Sequence, residues 1–267
     1  MTGHAGAERG AQIGILDGKV TIVTGGGSGI GAGIVRVLAR EGADLVVTDL
    51  DTAGAERVAQ EIGGTLVLRH DVTSWASCEE VARRVLEEKG RIDVLVNNAG
   101  VSKSIPFVEL DEAEWDRVND VNAKGVFLAT RAVVPHMIER RSGSIVNIAS
   151  MVGKEAIPFF VHYCASKFAV IGVTQGLAKE LAAYDVRVNA VCPGVVRTPL
   201  WEPLLDQLSK NKGITREEAF AEFVEGIPLG RPQEPEDIGE AVAFLASDRA
   251  RNMTGQGVNV TGGMQMH

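Results

Sequence analysis

Short apolar runs alternate with longer amphipathic stretches of helical period through most of the chain. Lys19–Thr24 (KVTIVT) is a β-branched run that stops at glycines, the pattern of a buried strand. After Gly25-Gly26-Gly27-Ser28-Gly29-Ile30-Gly31, the residues Ile30, Ile34, Val35 and Leu38 share one helical face, and the pattern ends near Gly42. Asp44–Asp49 predicts a second strand. The rhythm then predicts helix over Ala55–Ile62, strand over Thr65–Arg69, helix over Cys78–Glu88 and strand over Ile92–Val96, closed by the turn Asn97-Asn98-Ala99-Gly100. A helical region opens at Asp111–Asn122 and continues through Met137. Strand Ser144–Ile148, helix Tyr163–Ala183, strand Val186–Val191, helix Pro235–Ala246 and strand Val258–Val260 complete the series. Strands alternating with helices predict an α/β fold: one doubly wound parallel sheet with helices on both faces. No repeat, linker or low-complexity run divides the sequence, so residues 1–267 read as a single domain, with 1–15 a flexible Gly/Ala-rich lead-in.

The rhythm breaks once. Pro193-Gly194 stops the sixth strand, and Arg197–Leu229 carries Leu200, Trp201, Leu204, Leu205, Phe220 and Phe223 among many charges. An irregular, partly helical insertion after a strand's carboxyl end is expected to act as a substrate lid over residues 197–229, the plainer alternative being a surface excursion.

Composition narrows the partners. With 27 Lys and Arg against 35 Asp and Glu, the net charge is −8, which disfavours nucleic acid and anionic membrane surfaces. Cys78, Cys164 and Cys192 are odd in number, far apart and without a CxxC pair, so a reduced, cytoplasmic setting is expected. No apolar run approaches the ~20 residues of a membrane span, and Met1 to Gly18 shows no hydrophobic signal region. The five histidines (4, 70, 136, 162, 267) have no metal-ligand spacing, and no metal is expected.

The glycine cluster sits where a strand gives way to a helix. Glycines let the backbone turn tightly and approach a pyrophosphate, while the helix N-terminus favours the anion. The spacing is Thr24-Gly25-x-x-x-Gly29-x-Gly31, wider than G-x-G-x-x-G, and no Lys-Ser/Thr follows to make a Walker loop. Asp49 ends the second strand about 20 residues later, where a carboxylate accepts hydrogen bonds from an adenosine ribose and repels a 2′-phosphate. Gly26, Gly27, Ser28, Thr48 and Leu50 offer no cation to receive such a phosphate, so NAD is expected rather than NADP. A helix-capping role suits Asp51 better than Asp49.

Tyr163 and Lys167 stand four apart on a predicted helix and share a face. A free phenol has a pKa of about 10, too high for a base near neutrality. A fixed cation favours the phenolate, and lowering the value by two to three units takes ~3–4 kcal/mol. Alone, such a pair is ordinarily a solvated i,i+4 contact. His162, directly before the tyrosine, reads as a lining or interface residue, and Cys164 and Cys192 as small core residues.

Taken together, Thr24-Gly-x-x-x-Gly-x-Gly31, Asp71-Val72, Asn97-Asn98-Ala99-Gly100, Asn122, Ser150, Tyr163-x-x-x-Lys167 and Pro193-Gly194 occur in an order and at spacings that resemble the short-chain dehydrogenase/reductase family, over about Leu16 to Gly263. The resemblance implies a Rossmann-type fold and a catalytic tetrad of Asn122, Ser150, Tyr163 and Lys167. It implies NAD contacts at Gly25, Gly27, Ser28, Gly29 and Ile30, at Asp49, at Asp71 and Val72 for the adenine, and at Asn98, Ala99 and Gly100. It extends these contacts to Tyr163, Lys167, Pro193, Gly194, Val196 and Thr198, the last at the nicotinamide carboxamide. It also implies a homotetramer packed through the helices around Asn122 and Tyr163. In this scheme Tyr163 moves the proton of a secondary alcohol or ketone, Ser150 holds the substrate oxygen, Lys167 lowers the tyrosine pKa, and Asn122 supports a water-linked proton path. The alternatives for the last two companions are a turn serine and a structural amide.

Related activities fit less well. Enoyl reductases of this fold widen the Tyr–Lys spacing beyond four, and extended dehydratases and epimerases have another glycine spacing. A 3-oxoacyl thioester reductase resembles the chain closely, but Asp49 counts against it because that role usually takes NADPH. No Gly-x-Ser-x-Gly elbow supports a hydrolase. A non-catalytic NAD-binding sensor or scaffold is opposed by the intact tetrad. Val152, Gly153, Glu155, Phe159, Phe160, Thr198 and Trp201 are candidate pocket residues with no basic cluster, which disfavours phosphorylated substrates. The stretch Cys192 to Trp201 is similar to family members acting on vicinal diols, so a small diol, an acetoin-like compound or a polyol is the expected substrate.

Overall fold

The structure is a computed structural model and describes residues 14–267. The expected lead-in at 1–15 lies outside the described residues except for its last two positions. From Gly14 onward the chain is tied to the body: Ile15 N donates to the Glu41 carboxylate at 3.4 Å, Leu16 N to the Glu41 carbonyl at 2.9 Å, and the Leu16 side chain is fully buried.

Seven strands, β1 (Val20–Thr24), β2 (Asp44–Asp49), β3 (Leu66–Arg69), β4 (Val94–Asn97), β5 (Gly143–Ile148), β6 (Val186–Pro193) and β7 (Gly257–Val260), form one parallel sheet in the order β3-β2-β1-β4-β5-β6-β7. The helices are α1 (Gly29–Arg40), α2 (Thr52–Glu61), α3 (Trp75–Lys89), α4 (Glu112–Asn119), α5 (Gly125–Arg140), α6 (Val161–Leu181), α7 (Glu202–Lys212), α8 (Arg216–Glu225) and α9 (Pro235–Ala246). Successive strand residues point to opposite faces. Val23, Val47, Val96 and Val146 pack with Ile34 and Leu38 of α1, Val58 of α2 and Val242 of α9. Ile22, Val46, Leu95 and Ile145 face the other way, onto Val85 of α3, Met137 of α5 and Leu181 of α6. Both faces are therefore dry, which is why the strands read as continuous β-branched runs rather than as alternating ones.

Parallel pairing brings every strand's carboxyl end to one edge. The chain moves from β1 to β2 on one side and later places β4 on the other, so a crevice opens at β1/β4, the switch point where doubly wound folds take ligands.

Two stretches differ from the pattern read in sequence. The helical region from Asp111 to Met137 is interrupted by one wide π-turn, Asp120–Lys124, between α4 and α5, with Asn122 inside it. The Arg197–Leu229 segment is regular rather than irregular: a short turn, Pro199–Trp201, leads into the hairpin of α7 and α8. Gly213 ends α7 in the left-handed conformation, and a Thr215/Glu218 capping box starts α8. The hairpin has a small core of its own. Leu205, Ala219, Phe220 and Ile227 are buried together with Val195, and Trp201 stands edge-on to Phe220 and Phe223 at 5.5 and 4.8 Å. Arg216 bridges Asp206 and Glu202, the latter at 2.8 Å. Apolar residues that face each other within a hairpin give no single stripe toward a main core, so the periodicity is hard to see in the sequence.

Candidate active site

The glycine turn is shaped by close approach. A Cβ on Gly31 would lie 2.0 Å from the Gly25 carbonyl oxygen, and one on Gly25, at φ +64°, would lie 2.8 Å from Ala99 Cα. Only hydrogen fits at either place. Helix α1 starts at Gly29 with no acidic residue in its first turn and no side-chain cap from Ser28. Its first amides thus remain available to an anion at the positive end of the helix. A narrow cradle of this kind, with free donors, fits the pyrophosphate of a dinucleotide.

Side chains from distant strands hold the cradle in place. Asn98 Nδ2 donates to the carbonyls of Thr24 and Gly25 at 3.0 and 2.9 Å, so Asn98 serves the turn's backbone. The Thr24 hydroxyl accepts from the amides of Asn98 and Ala99 at 3.0 and 3.1 Å. Thr24 was not among the expected contacts; its place as the last strand residue before the glycines was the available signal. The Asp49 carboxylate accepts from Gly27 N at 2.9 Å and Asp51 N at 3.0 Å, and Asp51, not Asp49, caps α2 through Ala53 N. The β2/β3 register sets Arg69 beside Asp49. Asp71 accepts from the amide and hydroxyl of Thr73 at 3.0 and 2.7 Å, which holds its carboxyl below the usual range. Val72 is buried against Gly125 at the start of α5.

The expected tetrad gathers at the same edge. Ser150 stands two residues past β5, its hydroxyl accepts from Val152 N at 3.3 Å, and its nearness to the Tyr163 phenol favours the phenolate. Lys167, one helical turn after Tyr163, is buried and donates to the Ile148 carbonyl at 2.8 Å; its Nζ lies 5.7 Å from the tyrosine ring centroid. The π-turn aims Asn122 at the loop after β4. Its Oδ1 accepts from Val101 N at 2.8 Å, and its Nδ2 donates to Val101 O at 2.9 Å and to the Ser166 hydroxyl at 3.0 Å. Ser166 in turn donates to the Tyr163 carbonyl at 2.7 Å. Ser166 went unremarked in the sequence, although it lies within the Tyr163-to-Lys167 stretch.

The charge balance differs from the expected one. Burial pushes the Tyr163 phenol up to about 12, against the neighbouring Ser150 hydroxyl that lowers it, and burial pushes the Lys167 ammonium down to about 8. Lys167 was expected to lower the phenol's pKa, but with its ammonium bonded to Ile148 O, desolvation prevails for both groups. The resting tyrosine therefore holds its proton near neutrality.

Gly100 lies beside both Asn122 Oδ1 and Lys167 Nζ, and a Cβ there would stand 3.3 and 3.7 Å from them. Gly194 follows β6, its amide donating to Val260 O at 3.0 Å. Val196 is buried and bridges to Gln233. Thr198, at the root of the hairpin, lies 3.4 Å from where a Cβ of Gly29 would stand, so the hairpin begins against the dinucleotide turn. Among the described residues no helix is long and apolar enough to cross a membrane, and no three or more His, Cys, Asp or Glu gather as a metal site. A concavity at the opposite edge of the sheet, near Lys19, Arg187 and Asp248, is structural: Arg187 donates to the Leu245, Ala246 and Ser247 carbonyls that end α9.

A parallel sheet with a switch-point crevice, a glycine cradle and a Ser–Tyr–Lys cluster at one edge defines a nucleotide-dependent oxidoreductase of the Rossmann class. Comparison with known proteins agrees. A family model described as "Enoyl-(Acyl carrier protein) reductase" matches residues 25–265. The chain is 42% identical over 255 residues to a 3-oxoacyl-[acyl-carrier-protein] reductase of Thermotoga maritima, covering 93% of this chain and 98% of that one. It is 41% identical over 252 residues to the D-threitol dehydrogenase of Mycolicibacterium smegmatis, covering 93% of each. Among solved structures it is similar to levodione reductase (TM-score 0.88, 35% identity, 93% and 98% covered). It is also similar to a 3-ketoacyl-(acyl-carrier-protein) reductase from Brucella melitensis complexed with NADH (TM-score 0.85, 37% identity, 94% and 99% covered). The chain belongs to the short-chain dehydrogenase/reductase family. That last structure also weakens one argument from sequence: a 3-oxoacyl reductase can hold NADH, so Asp49 does not by itself count against that activity.

Proposed function

We propose that this oxidoreductase transfers hydride reversibly between NAD and a secondary alcohol or ketone, with Tyr163 as the proton-transfer group. The observation that carries the reading is the convergence of Ser150, Tyr163, Lys167 and Asn122 at the edge that also bears the glycine cradle. The nicotinamide supplies the hydride chemistry. In the reducing direction Tyr163 Oη donates its proton to the developing alkoxide, a role suited to a phenol that is protonated at rest, while the Ser150 hydroxyl holds the substrate oxygen. Lys167 and Asn122 keep the tyrosine's surroundings fixed, through Ile148 O and through Val101 and Ser166. Asp49 beside Gly27 supports NAD over NADP. The α7–α8 hairpin, rooted at Thr198, serves as the lid, and the active form is a homotetramer.

For the substrate we favour a small vicinal diol or α-hydroxyketone, in line with the 41% identity to a D-threitol dehydrogenase. A 3-oxoacyl thioester is the second reading, favoured by the 42% identity to the Thermotoga protein. Diols, polyols and 3-hydroxyacyl thioesters assayed with NAD and NADP separate the two. Tyr163→Phe is expected to lower kcat/KM by about a thousandfold while NADH binding stays within twofold, as read by nucleotide fluorescence. Retained turnover would remove the tyrosine from its role.

A further inference from the structure

Among the described residues three non-glycine residues have positive φ: Arg141 at 50°, Phe159 at 68° and Asp185 at 56°. Arg141 ends α5 and Asp185 ends a short helical turn before β6, where a left-handed residue closes the element. Phe159 closes nothing. It stands two residues before α6 begins, and a bulky aromatic residue is a poor occupant of a region that glycine fills without strain.

The position is nonetheless firmly held. Ile105 N donates to the Phe159 carbonyl at 2.8 Å, tying the loop after β4 to the loop before α6. The next residue, Phe160, sets its ring edge-on to Tyr163 at 6.3 Å and accepts from Cys164 N at 2.7 Å. The Phe159 side chain itself is 56% exposed, so core packing does not explain an aromatic ring at a strained position. Its neighbour Ile157 is exposed too, as are Phe107 and Val108 on the turn just after Ile105. The two tied loops thus carry an apolar lip beside the candidate catalytic tyrosine. Strain retained next to a reacting group, together with apolar surface left open there, marks a contact completed by a ligand.

We propose that Phe159 is a specificity-determining residue: its ring covers the non-reacting arm of the substrate, and that arm is hydrocarbon rather than polyhydroxylated. The inference rests on the alcohol–ketone reading of Tyr163 and narrows its substrate class, placing alkyl- or aryl-substituted α-hydroxyketones and diols ahead of sugar alcohols.

Three α-hydroxyketones that share the CH3–CO–CH(OH) unit test it in NADH-linked reduction: acetoin with a methyl arm, 1-hydroxy-1-phenylpropan-2-one with a phenyl arm, and 3,4-dihydroxybutan-2-one with a hydroxymethyl arm. The wild type is expected to rank phenyl above methyl above hydroxymethyl in kcat/KM. Phe159→Gly and Phe159→Ala are each expected to lower the phenyl-to-hydroxymethyl ratio about 10-fold. Phe159→Gly, which also relieves the strained φ, is expected to raise Tm by about 2 °C, whereas Phe159→Ala keeps the strain and gains nothing. A wild type that prefers the hydroxymethyl arm, or a ratio unchanged in both variants, overturns the assignment of Phe159 and leaves the reaction class standing. Absence of turnover with every ketone and alcohol overturns the reaction class itself, and the inference with it.

Discussion

The glycine turn and the start of α6 meet at one crevice but are built from opposite materials. The turn works by what it lacks: at Gly25 and Gly31 the space for a Cβ is already filled by backbone, and α1 opens with uncapped amides. The α6 site works by side chains that reach across the fold, Asn122 to the Ser166 hydroxyl and Lys167 to a β5 carbonyl, with Ser150 beside the Tyr163 phenol. A backbone cradle tolerates no added atom, whereas a side-chain cluster can lose a member and keep its shape. The first should therefore fail in binding and stability together, and the second in turnover alone.

Gly31→Ala is the hardest test of the cradle. The new Cβ would meet the Gly25 carbonyl, which belongs to the same tight turn and cannot swing aside. A destabilisation of about 3 kcal/mol is expected, lowering Tm by about 8 °C, with NADH binding weakened about a hundredfold. Calorimetry and nucleotide fluorescence measure both, and normal binding in this variant would end the distinction between the two regions.

Asp49→Ala touches the cradle's acidic wall. Removing the carboxylate leaves Arg69 beside the same pocket, so the NAD-to-NADP ratio of kcat/KM should fall about 10- to 30-fold. An unchanged ratio would take Asp49 out of coenzyme selection.

His70 sharpens the comparison from the stability side. It lies buried between the Thr48 hydroxyl at 3.0 Å and the Cys78 sulfur at 3.3 Å, directly before Asp71, and burial lowers its pKa to about 4. The unfolded imidazole takes up its proton near the ordinary value of about 6.5, and the folded one does not until about 4. Stability from this group is thus complete above that window and is lost as pH falls through it, by about 1 kcal/mol at about pH 5.5. Urea midpoints at about pH 5.5 and 7.5 should show this loss, and His70→Gln should reduce it.

Ser166→Ala is the mildest change. It removes the acceptor for Asn122 and the donor to the Tyr163 carbonyl, and a three- to fivefold loss in kcat is expected, with NADH affinity held. Equal losses in both would make Ser166 part of the general scaffold.

Much of this was legible in the chain because it depends on local chemistry. The strands announced themselves as β-branched runs, Asp51 as a cap, and the glycine turn by its place between strand and helix. Tyr163 and Lys167 were found from helical spacing, and their companions from a shared motif order. The hairpin's regularity was hidden because its apolar residues pack on one another, and the π-turn at Asn122 because one extra residue in a helix leaves no mark on hydrophobic period. The bonding roles of the Thr24 and Ser166 hydroxyls were not foreseen because hydroxyls are common and their partners lie 74 and 44 residues away.

The sequence by itself determined the alternation of strands and helices, the glycine cradle and the Tyr163/Lys167 pair, since each follows from neighbours within a few residues. Tertiary structure alone decided the rest. It chose strand order, and with it the crevice at β1/β4. It directed Lys167 toward Ile148 O and left the phenol protonated, because desolvation is set by what closes over a group from elsewhere in the chain. It also fixed Phe159 in a conformation that no local preference of phenylalanine would select.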